Sequence, residues 1–334
     1  MTNDEIKNVG VIGGGAWGTA LSQTLALSGK HVTLWAYELE TVKEITDHRI
    51  NRTFLPGVSL ERSIRATSKY ADLESCDVIL LVSPTQAVRA LTAELATHIP
   101  SGVPVVICAK GIEQASGKML TDVIKETLPN ARHAVLSGPS FAADVARGLP
   151  AAVTLACRNE QLGQSLAKQL GYRQFRIYWS DDVTGVQLGG AIKNVLAIAA
   201  GIVDGKELGP SAHAALVARG FAEMARLGHK MGAKTETMMG LSGLGDLILT
   251  CGSANSRNMS LGRALGKGQS LAETLGARRA VTEGVFTAQA IVALAKKHNI
   301  EMPICEAVHA ITSGSTTVDD AIASLLDRPM KAED

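Results

Sequence analysis

The segment LGGAIKNVLAIAAG at 188–201 holds one charged residue, Lys193, in a run that otherwise resembles a buried helix. A helical projection places five uncharged residues on its face: Gly189, Gly190, Leu196, Ala197 and Ala200. In the simplest interpretation the stem packs on these residues while the ammonium group reaches water. In the alternative the lysine is functional, its small neighbours leave room for a substrate, and its charge partner comes from elsewhere in the chain.

Asp246 is a candidate for that partner. It is the single acidic residue of the segment at 240–262, GLSGLGDLILTCGSANSRNMSLG. As a helix N-cap it would only satisfy backbone amides, whereas beside Lys193 it would hold an ammonium group in place. Arg257, later in the same segment, precedes a helical pattern and with the first helical amides would form a phosphate site. A surface location is the alternative for Arg257.

Two further polar groups follow predicted strands. Lys110 comes directly after the apolar run 105–108, and the segment SGPSF at 137–141 follows another such run. Ligands in open α/β sheets bind beyond the carboxyl ends of the strands, so both groups are candidates for a site. A helix that begins near Ser140 would suit an anion or a cofactor amide. A solvated loop lysine and an ordinary turn are the alternatives.

A glycine loop lies near the start of the chain. Gly13, Gly15 and Gly18 have G-x-G-x-x-G spacing in VGVIGGGAWGTAL, between an apolar strand and a helical pattern. Gly13 allows a tight turn, Gly15 lets backbone amides approach a pyrophosphate, and Gly18 permits close packing of helix on strand. The spacing alone also occurs in structural turns. With its strand, helix and next strand it predicts a dinucleotide site.

The end of the second strand, HVTLWAYE, concerns the choice of cofactor. Glu38 follows Gly18 by twenty residues, where an acidic side chain would accept hydrogen bonds from the adenosine ribose. A carboxylate would repel a 2′-phosphate, so Glu38 favours NAD. Tyr37 beside it and the nearby Arg49 and Arg52 leave NADP open.

The pattern of elements predicts two domains. From residue 9 to about 180, seven strand-like runs alternate with helical patterns, which is typical of an α/β, doubly wound, mainly parallel sheet. Beyond 180 the convincing segments are helical only: 182–203, 212–232, 258–267, 282–298, 302–313 and 317–327. We therefore expect one domain at 1–180 and an all-α domain at 181–334. Lys193 would lie on the first helix after the boundary, where ligand sites are common.

Composition excludes several classes of function. Thirty-three basic and 32 acidic residues leave a net charge of +1, which argues against binding to nucleic acid or an anionic membrane. The five cysteines are dispersed and the eight histidines lack metal-ligand spacing, so we expect neither disulfides nor a metal. The N-terminus does not resemble a signal peptide, and the strongly apolar runs are shorter than a membrane span. A cytoplasmic protein is expected.

Seven motifs occur in one order over essentially the whole chain: G-x-G-x-W-G-T-A at 13–20, AKGIE at 109–113, SGPSFA at 137–142, GAIKN at 190–194, GLGDLILTC at 243–251, NSRN at 255–258 and VTEGVFTA at 281–288. The set closely resembles the bacterial NAD(P)-dependent glycerol-3-phosphate dehydrogenase family. The resemblance implies a Rossmann-like domain followed by a helical domain of the 6-phosphogluconate dehydrogenase-like type. It also implies a cytoplasmic homodimer that supplies lipid and carbohydrate metabolism, glycerophospholipid synthesis above all.

The implied reaction is reversible hydride transfer between NAD(P)H and dihydroxyacetone phosphate, which gives sn-glycerol 3-phosphate. A related reductase of ketopantoate or 3-hydroxy acids is the rival enzyme, although its carboxylate substrates would not need the phosphate site at NSRN. A non-catalytic NAD(H)-sensing module is the other alternative. Such a module would not need Lys110, Lys193 and Asp246 together.

The resemblance also implies roles for single residues. Lys193 matches the proton acceptor and Lys110 a second lysine that touches both cofactor and substrate, with Asp246 completing the catalytic group. Substrate contacts are implied at seven positions besides Lys193: Lys110, Gly138, Ser140, Asp246, Ser256, Arg257 and Asn258. The resemblance also implies cofactor contacts at Ala16, Trp17, Ala142, Arg257, Val281 and Glu283. These are in addition to the glycines, Lys110 and Glu38. Tyr37 stands where members often carry histidine or arginine, which leaves the preference for NADP open.

The catalytic role sets a requirement on the pKa of Lys193. A free lysine, with a pKa of about 10.4, is mostly protonated and a poor base at neutral pH. Burial and the like charge of Lys110 would lower the pKa, whereas Asp246 would raise it. We expect the balance to place the pKa near working pH, where general acid–base catalysis is most effective.

Overall fold

A single eight-stranded sheet occupies the first half of the protein. The computed structural model describes residues 5–276, 282–330 and 332. The strands lie in the order β3-β2-β1-β4-β5-β6-β7-β8. Their bounds are β1 Asn8–Ile12, β2 His31–Trp35, β3 Ile64–Thr67, β4 Val78–Leu81, β5 Pro104–Ile107, β6 Arg132–Ser137, β7 Ala151–Ala156 and β8 Phe175–Ser180.

The sheet is mainly parallel, as the sequence predicts, and one pair departs from that pattern. β7 runs antiparallel to β6, with Val135 opposite Ala156, and β8 then runs parallel to β7. β1 lies between β2 and β4, so the winding direction of the chain reverses beside it. Ligands bind at such reversal points, beyond the carboxyl ends of the strands, and the glycine loop directly follows β1.

Both faces of the sheet are covered by helices. In β4, Val78 and Leu80 belong to one apolar layer while Ile79 and Leu81 belong to the other, as expected for a strand buried on both sides. The helices of this half are α1 Ala16–Leu27, α2 Leu39–His48, α3 Val88–Leu95, α4 Leu120–Thr127, α5 Ala142–Ala146 and α6 Glu160–Leu170, with 3-10 turns at Tyr70–Leu73 and Thr85–Ala87. All seven predicted strands are present, and β3 and α2 are additions.

The second half is helical throughout its described residues. Its helices are α7 Val183–Gly205, α8 Pro210–Lys230, α9 Thr235–Met239, α10 Asp246–Cys251, α11 Arg257–Gly266, α12 Leu271–Gly276, α13 Glu283–Lys297, α14 Pro303–Thr312 and α15 Val318–Leu326, with a π-helical turn at Leu241–Gly245. α7 lies at the centre and contacts α8, α10, α11, α13 and α14. The change from strands to helices falls between Ser180 and Val183, and the division into domains at 180 stays a prediction.

α7 corrects one expectation from the sequence. This helix of 23 residues has a mean hydropathy of 1.6 in its most apolar window, so by length and composition it could cross a membrane. The sequence-based view that apolar runs are too short for a span overlooked it because Lys193 and several glycines interrupt the run. In the structure 94% of that window is buried inside the protein, as in the core helix of a globular fold.

Candidate active site

Asp246 joins the two lysines that the sequence singled out. Its Oδ1 lies 2.6 Å from Nζ of Lys193, and its Oδ2 lies 2.6 Å from Nζ of Lys110. Asp246 is 1% exposed and Lys193 is 8% exposed. The charge partner of Lys193 therefore comes from 53 residues further along the chain, and the three groups form one buried cluster at the seam of the two halves.

Glycines on α7 allow this close approach. A Cβ at Gly189 would lie 2.4 Å from the carbonyl oxygen of Ser242, in the π-helical turn that leads into Asp246. A Cβ at Gly190 would lie 2.6 Å from Oγ of Ser137. The expectation that these two glycines leave room for substrate is wrong, because protein atoms occupy that space. The glycines instead let α7 pack against the strand end and the turn that carry the other site residues.

Lys110 reaches the cluster from the sheet. It follows β5, and its Nζ also donates a hydrogen bond of 3.0 Å to the carbonyl oxygen of Gly138. Gly138 has φ of +149°, and a Cβ there would lie 2.8 Å from Cα of Val153, so only glycine fits. Ser140 donates its hydroxyl proton to the same carbonyl oxygen at 3.0 Å. The segments after β5 and β6 thus meet at one edge of the sheet, as predicted.

Two uncharged residues of the cluster were missed by the sequence reasoning. Thr250 accepts a hydrogen bond from Nζ of Lys193 at 2.9 Å and donates to the carbonyl oxygen of Asp246 at 2.6 Å. Asn194 donates to the carbonyl oxygen of Lys110 at 3.1 Å. The signals were present: Thr250 lies four residues after Asp246 on one helix, and Asn194 is a polar residue in an apolar helix.

The electrostatics of the cluster set the protonation states. Burial, opposed by the charge of Asp246 and assisted by that of Lys110, lowers the pKa of Lys193 to about 8. Burial would raise the pKa of Asp246, but the two ammonium groups outweigh it and hold that pKa below its ordinary value. At neutral pH the pair is therefore a fixed anion beside a lysine that exchanges its proton close to physiological pH.

The start of α11 lies beside this cluster. Ser256 is its N-cap and accepts a hydrogen bond of 3.2 Å from the amide of Met259. Asn258 donates one amide hydrogen to Asn194 at 2.9 Å and accepts from the amide of Gly284 at 3.0 Å. Ser256 and Asn258, which are predicted to contact the substrate, therefore also stabilise the fold through these hydrogen bonds. Arg257, the first residue of α11, supplies the cation at this helix end.

The glycine loop has the shape of an anion cradle. Gly13 has φ of +128°, and a Cβ at Gly18 would lie 1.9 Å from the carbonyl oxygen of Gly13. Among the described residues, no atom beyond the adjacent ones lies within 4 Å of the place where a Cβ of Gly15 would stand, and no side chain caps α1 there. The backbone amides of Ala16 and Trp17 therefore lie at the N-terminus of α1 without a side-chain cap. Such a helix end fits a pyrophosphate. The indole ring of Trp17 instead packs edge-on against Phe175 at 6.2 Å.

The remaining cofactor candidates surround this loop. Glu38 is exposed at the end of β2, and Tyr37 beside it is 80% exposed. Arg49 donates to the carbonyl oxygen of Ile64 at 2.6 Å, and Arg52 pairs with Glu44 at 3.5 Å. Both arginines that left NADP open are thus engaged within the protein.

Ala142 and Glu283 stand at helix starts, and Val281 lies outside the described residues. Oε1 of Glu283 accepts a hydrogen bond of 3.0 Å from the amide of Thr85, so the first residue of α13 touches the segment after β4. Burial raises the pKa of this carboxyl group. Among the described residues no group of three or more histidine, cysteine or acidic side chains could hold a metal, and the five cysteines are free and buried.

A doubly wound sheet with an open glycine loop, joined to a helical half through two lysines and a carboxylate, defines a two-part dinucleotide-dependent oxidoreductase. Two family models match this chain: the NAD-dependent glycerol-3-phosphate dehydrogenase N-terminus over residues 8–163 and its C-terminus over residues 182–323. The chain belongs to the NAD-dependent glycerol-3-phosphate dehydrogenase family. It is therefore an oxidoreductase that uses NAD or NADP.

Relatives and solved structures agree with this assignment. A protein of Parvibaculum lavamentivorans named glycerol-3-phosphate dehydrogenase (NAD(P)+) is 57% identical over 327 residues, with 98% of each chain covered. A protein of the same name from Maricaulis maris is 54% identical and covers 98% of this chain and 99% of its own. The crystal structure of glycerol-3-phosphate dehydrogenase from Coxiella burnetii matches with a TM-score of 0.93 at 39% identity, covering 97% of this chain and 99% of that one.

Proposed function

We propose that this protein interconverts dihydroxyacetone phosphate and sn-glycerol 3-phosphate, with Lys193 as the general acid and base. The observation that carries the proposal is the buried cluster in which Asp246 holds Lys193 and Lys110 at 2.6 Å each. Lys193 is the group of this cluster whose pKa, about 8, suits proton transfer near neutral pH. The family and its relatives supply the substrate class.

The cluster divides the work of catalysis between its members. In reduction the Lys193 ammonium group gives a proton to the oxygen on C2, and in oxidation the neutral amine takes it back. A bound nicotinamide ring would supply the hydride that C2 gains in reduction and would accept it in oxidation. Asp246 fixes the position of both ammonium groups, and Lys110 presents a positive charge to the oxygen on which negative charge develops. Thr250 accepts a hydrogen bond from Lys193 and so directs its remaining protons.

The phosphate of the substrate fits the start of α11. Arg257 provides a fork of donors for phosphate oxygens, and the first turn of α11 adds the positive end of the helix dipole. Binding energy gained at the phosphate is remote from the reacting carbon and can position it. Ser140, Ser256 and Asn258 complete the proposed substrate contacts, with Gly138 contributing its backbone.

The cofactor fits the loop at Gly13, Gly15 and Gly18, with the open amides of Ala16 and Trp17 toward the pyrophosphate. Glu38 and Tyr37 stand where the adenosine ribose would lie, and we propose a preference for NAD. Support comes from the contacts that Arg49 and Arg52 make within the protein, with the carbonyl oxygen of Ile64 and the carboxylate of Glu44. Ala142, Val281 and Glu283 are the further proposed contacts.

We also propose the wider setting implied by the family: a cytoplasmic homodimer, divided into domains at 180, that supplies glycerophospholipid synthesis and binds neither nucleic acid nor membrane. The neutral net charge supports the last point. The apolar residues of α13 are mostly buried within the fold itself, so we do not assign the dimer surface to them. Light scattering on the purified protein measures the oligomeric state directly.

The experiment follows absorbance at 340 nm in the purified protein with dihydroxyacetone phosphate and either NADH or NADPH. We expect rapid oxidation, with a higher kcat/KM for NADH. Dihydroxyacetone without phosphate and ketopantoate are the controls, and both should react at least a hundredfold more slowly, because a phosphate contact made by a charge-assisted pair is worth about 3 kcal/mol. Faster reduction of ketopantoate, or no oxidation in a protein that binds NADH, would overturn the proposal.

A further inference from the structure

The loop that carries Lys110 is closed on itself. It joins β5 to α4 through residues 108–119, and the backbone of Ile112 pairs with Met119. The amide of Glu113 donates to the carbonyl oxygen of Lys118 at 3.1 Å, and the amide of Gly117 donates to the carbonyl oxygen of Glu113 at 2.8 Å. Glu113 therefore lies at the base of a compact turn, three residues beyond Lys110.

Arg89 on α3 binds this turn from its outer side. Its Nε donates to Oε1 of Glu113 at 2.8 Å and its Nη2 donates to Oε2 at 2.8 Å, which is a two-point pairing of guanidinium with carboxylate. Glu113 is 7% exposed, and the hydrogen bonds from Arg89 hold the pKa of its carboxyl group below the ordinary value. The same oxygen Oε2 accepts from the hydroxyl of Ser116 within the turn. A buried, doubly bonded carboxylate is costly to move, so the turn is fixed on α3.

The segment before Arg89 adds a second line of contacts. Gln86 donates from its amide to the carbonyl oxygen of Ile112 at 3.0 Å and accepts from the amide of Gln114 at 2.9 Å. A Cβ at Gly111 would lie 2.4 Å from Oγ1 of Thr85, so the loop backbone rests directly on this segment. Residues 85–89 thus hold the loop on the side of the sheet, while Asn194 holds the carbonyl oxygen of Lys110 on the side of α7.

Lys110 has four rotatable side-chain bonds, and catalysis needs its ammonium group in one place. The bonds to Asp246 and Gly138 fix the tip of the side chain, but they depend on where the backbone of Lys110 stands. A shift of about 1 Å in a reacting geometry can cost a hundredfold in rate. The position of the loop therefore affects catalysis, although neither Arg89 nor Glu113 has a contact with the cluster.

We propose that the Arg89–Glu113 pair is a positioning element that sets the backbone of Lys110 for catalysis. The inference rests on the proposed function, because it assigns the pair a role in the same reaction. It predicts that loss of the pair acts through Lys110 and leaves the remaining parts of the site in order.

The test compares Arg89→Met and Glu113→Gln with the wild type, using the full-length protein and dihydroxyacetone phosphate. We expect kcat to fall on the order of 10- to 100-fold in both variants, with a lower melting temperature in Arg89→Met, which leaves the buried carboxylate of Glu113 unpaired, than in Glu113→Gln. Arg89→Lys keeps the charge but not the fork, so we expect it to restore only part of the rate. Arg65→Met is the matched control: Arg65 pairs with Asp72 at 2.9 Å on the edge strand β3, and its loss should leave kcat unchanged.

A double variant separates positioning from general support of the fold. In a Lys110→Ala background, Arg89→Met should cause no further fall in kcat, since its effect passes through the missing side chain. The pH profile gives a second readout. Lys110 and Asp246 are the charged groups that face Lys193, with the thiol of Cys251 nearby, and Lys110 lowers the pKa of Lys193. Displacement of Lys110 should therefore move the rise of the oxidation rate to higher pH.

Failure of the proposed function and failure of the positioning role would give different results. A wild-type protein that does not reduce dihydroxyacetone phosphate defeats the proposed function before any variant is made. With an active wild type, equal falls in Arg89→Met and Arg65→Met, or the same further fall in the Lys110→Ala background, would overturn the positioning role. If Arg89→Met does not fold, Glu113→Gln and Arg89→Lys carry the same comparison, and full activity in both would also overturn it.

Discussion

Two buried carboxylates in the helical half have opposite surroundings. Asp246 at the seam is 1% exposed and lies between two ammonium groups, which hold its pKa below the ordinary value against the effect of burial. Glu223 on α8 is 2% exposed and accepts hydrogen bonds from the backbone amides of Ile304 at 2.8 Å and Cys305 at 3.2 Å, with a further hydrogen bond from the thiol of Cys305. Burial raises the pKa of Glu223 to about 7.

The difference shows that burial alone does not identify a functional acid. Glu223 satisfies the first amides of α14, which is the work of a helix cap supplied from a neighbouring helix. Asp246 instead organises two groups that can exchange or attract charge at the edge of a cofactor-binding sheet. The two carboxylates differ in the charge of the groups that contact them. The substitutions below test whether this difference sets their roles.

The largest effect is expected for Lys193→Ala. Loss of the general acid and base should lower kcat by about 10²- to 10⁴-fold, with near-normal binding of NADH. Steady-state kinetics with fluorescence titration of NADH measures both. Glu223→Gln is the control from the other carboxylate and should keep kcat within about twofold. If Lys193→Ala kept a tenth of the activity, the assignment of the acid and base would be wrong.

Asp246→Asn should reduce kcat less than Lys193→Ala does, but it should change the pH profile of the rate more. Without the carboxylate, two ammonium groups face one another, so the pKa of Lys193 should fall below about 8 and the proton donor for reduction is lost at neutral pH. Leaving buried charge without its partner should also cost about 3–5 kcal/mol in the free energy of unfolding. Kinetics across pH and denaturant titration test both parts. An unchanged profile would show that Asp246 does not govern Lys193.

Arg257→Ala should raise KM for dihydroxyacetone phosphate by about ten- to a hundredfold, because a charge-assisted contact with the phosphate is lost. This variant separates a group that binds substrate from the group that reacts. Dihydroxyacetone, which has no phosphate, is the control substrate, and its slow reaction should be unaffected. An unchanged KM would mean that the phosphate binds elsewhere.

The smallest effect on activity and a distinct effect on stability are expected at Glu223. Between pH 4.5 and 7 the native protein binds more protons at this group than the unfolded chain does, so its contribution to stability falls as pH rises through that window. Integrated over the window the contribution is at most about 3 kcal/mol. Thermal unfolding of Glu223→Gln should lack this part of the pH dependence. Identical curves for variant and wild type would show that Glu223 does not contribute to the pH dependence of stability.

Much of the fold could be predicted from the sequence because its signals are local. The apolar runs that became β1, β4 and β5 are continuous, as strands buried on both faces must be. α2 and β3 were missed because they present little apolar pattern: α2 buries only Thr41 and Ile45, and β3 is a short edge strand. The antiparallel direction of β7 has no local signal, since it is set by how the chain returns after α5.

The site was predictable in its parts but not in its assembly. Lys193 is conspicuous as a charge in an apolar helix, and Asp246 as the one acid of its segment. The pairing of Lys110 with Asp246 spans 136 residues and follows only from the packing of α7 against the sheet. The space beside Gly189 was misjudged for the same reason, because the turn that fills it lies more than fifty residues away in sequence.

The pH dependence of the hydride-transfer rate, measured in single turnovers in both directions, tests the role of Lys193 most directly. A buried lysine whose pKa is about 8 must be neutral to accept the proton and charged to donate it. We predict that the rate of sn-glycerol 3-phosphate oxidation rises with pH through about 8, while the rate of dihydroxyacetone phosphate reduction falls through the same region. Rates that stay level from pH 6.5 to 9.5 in both directions would contradict a role for Lys193 as the acid and base.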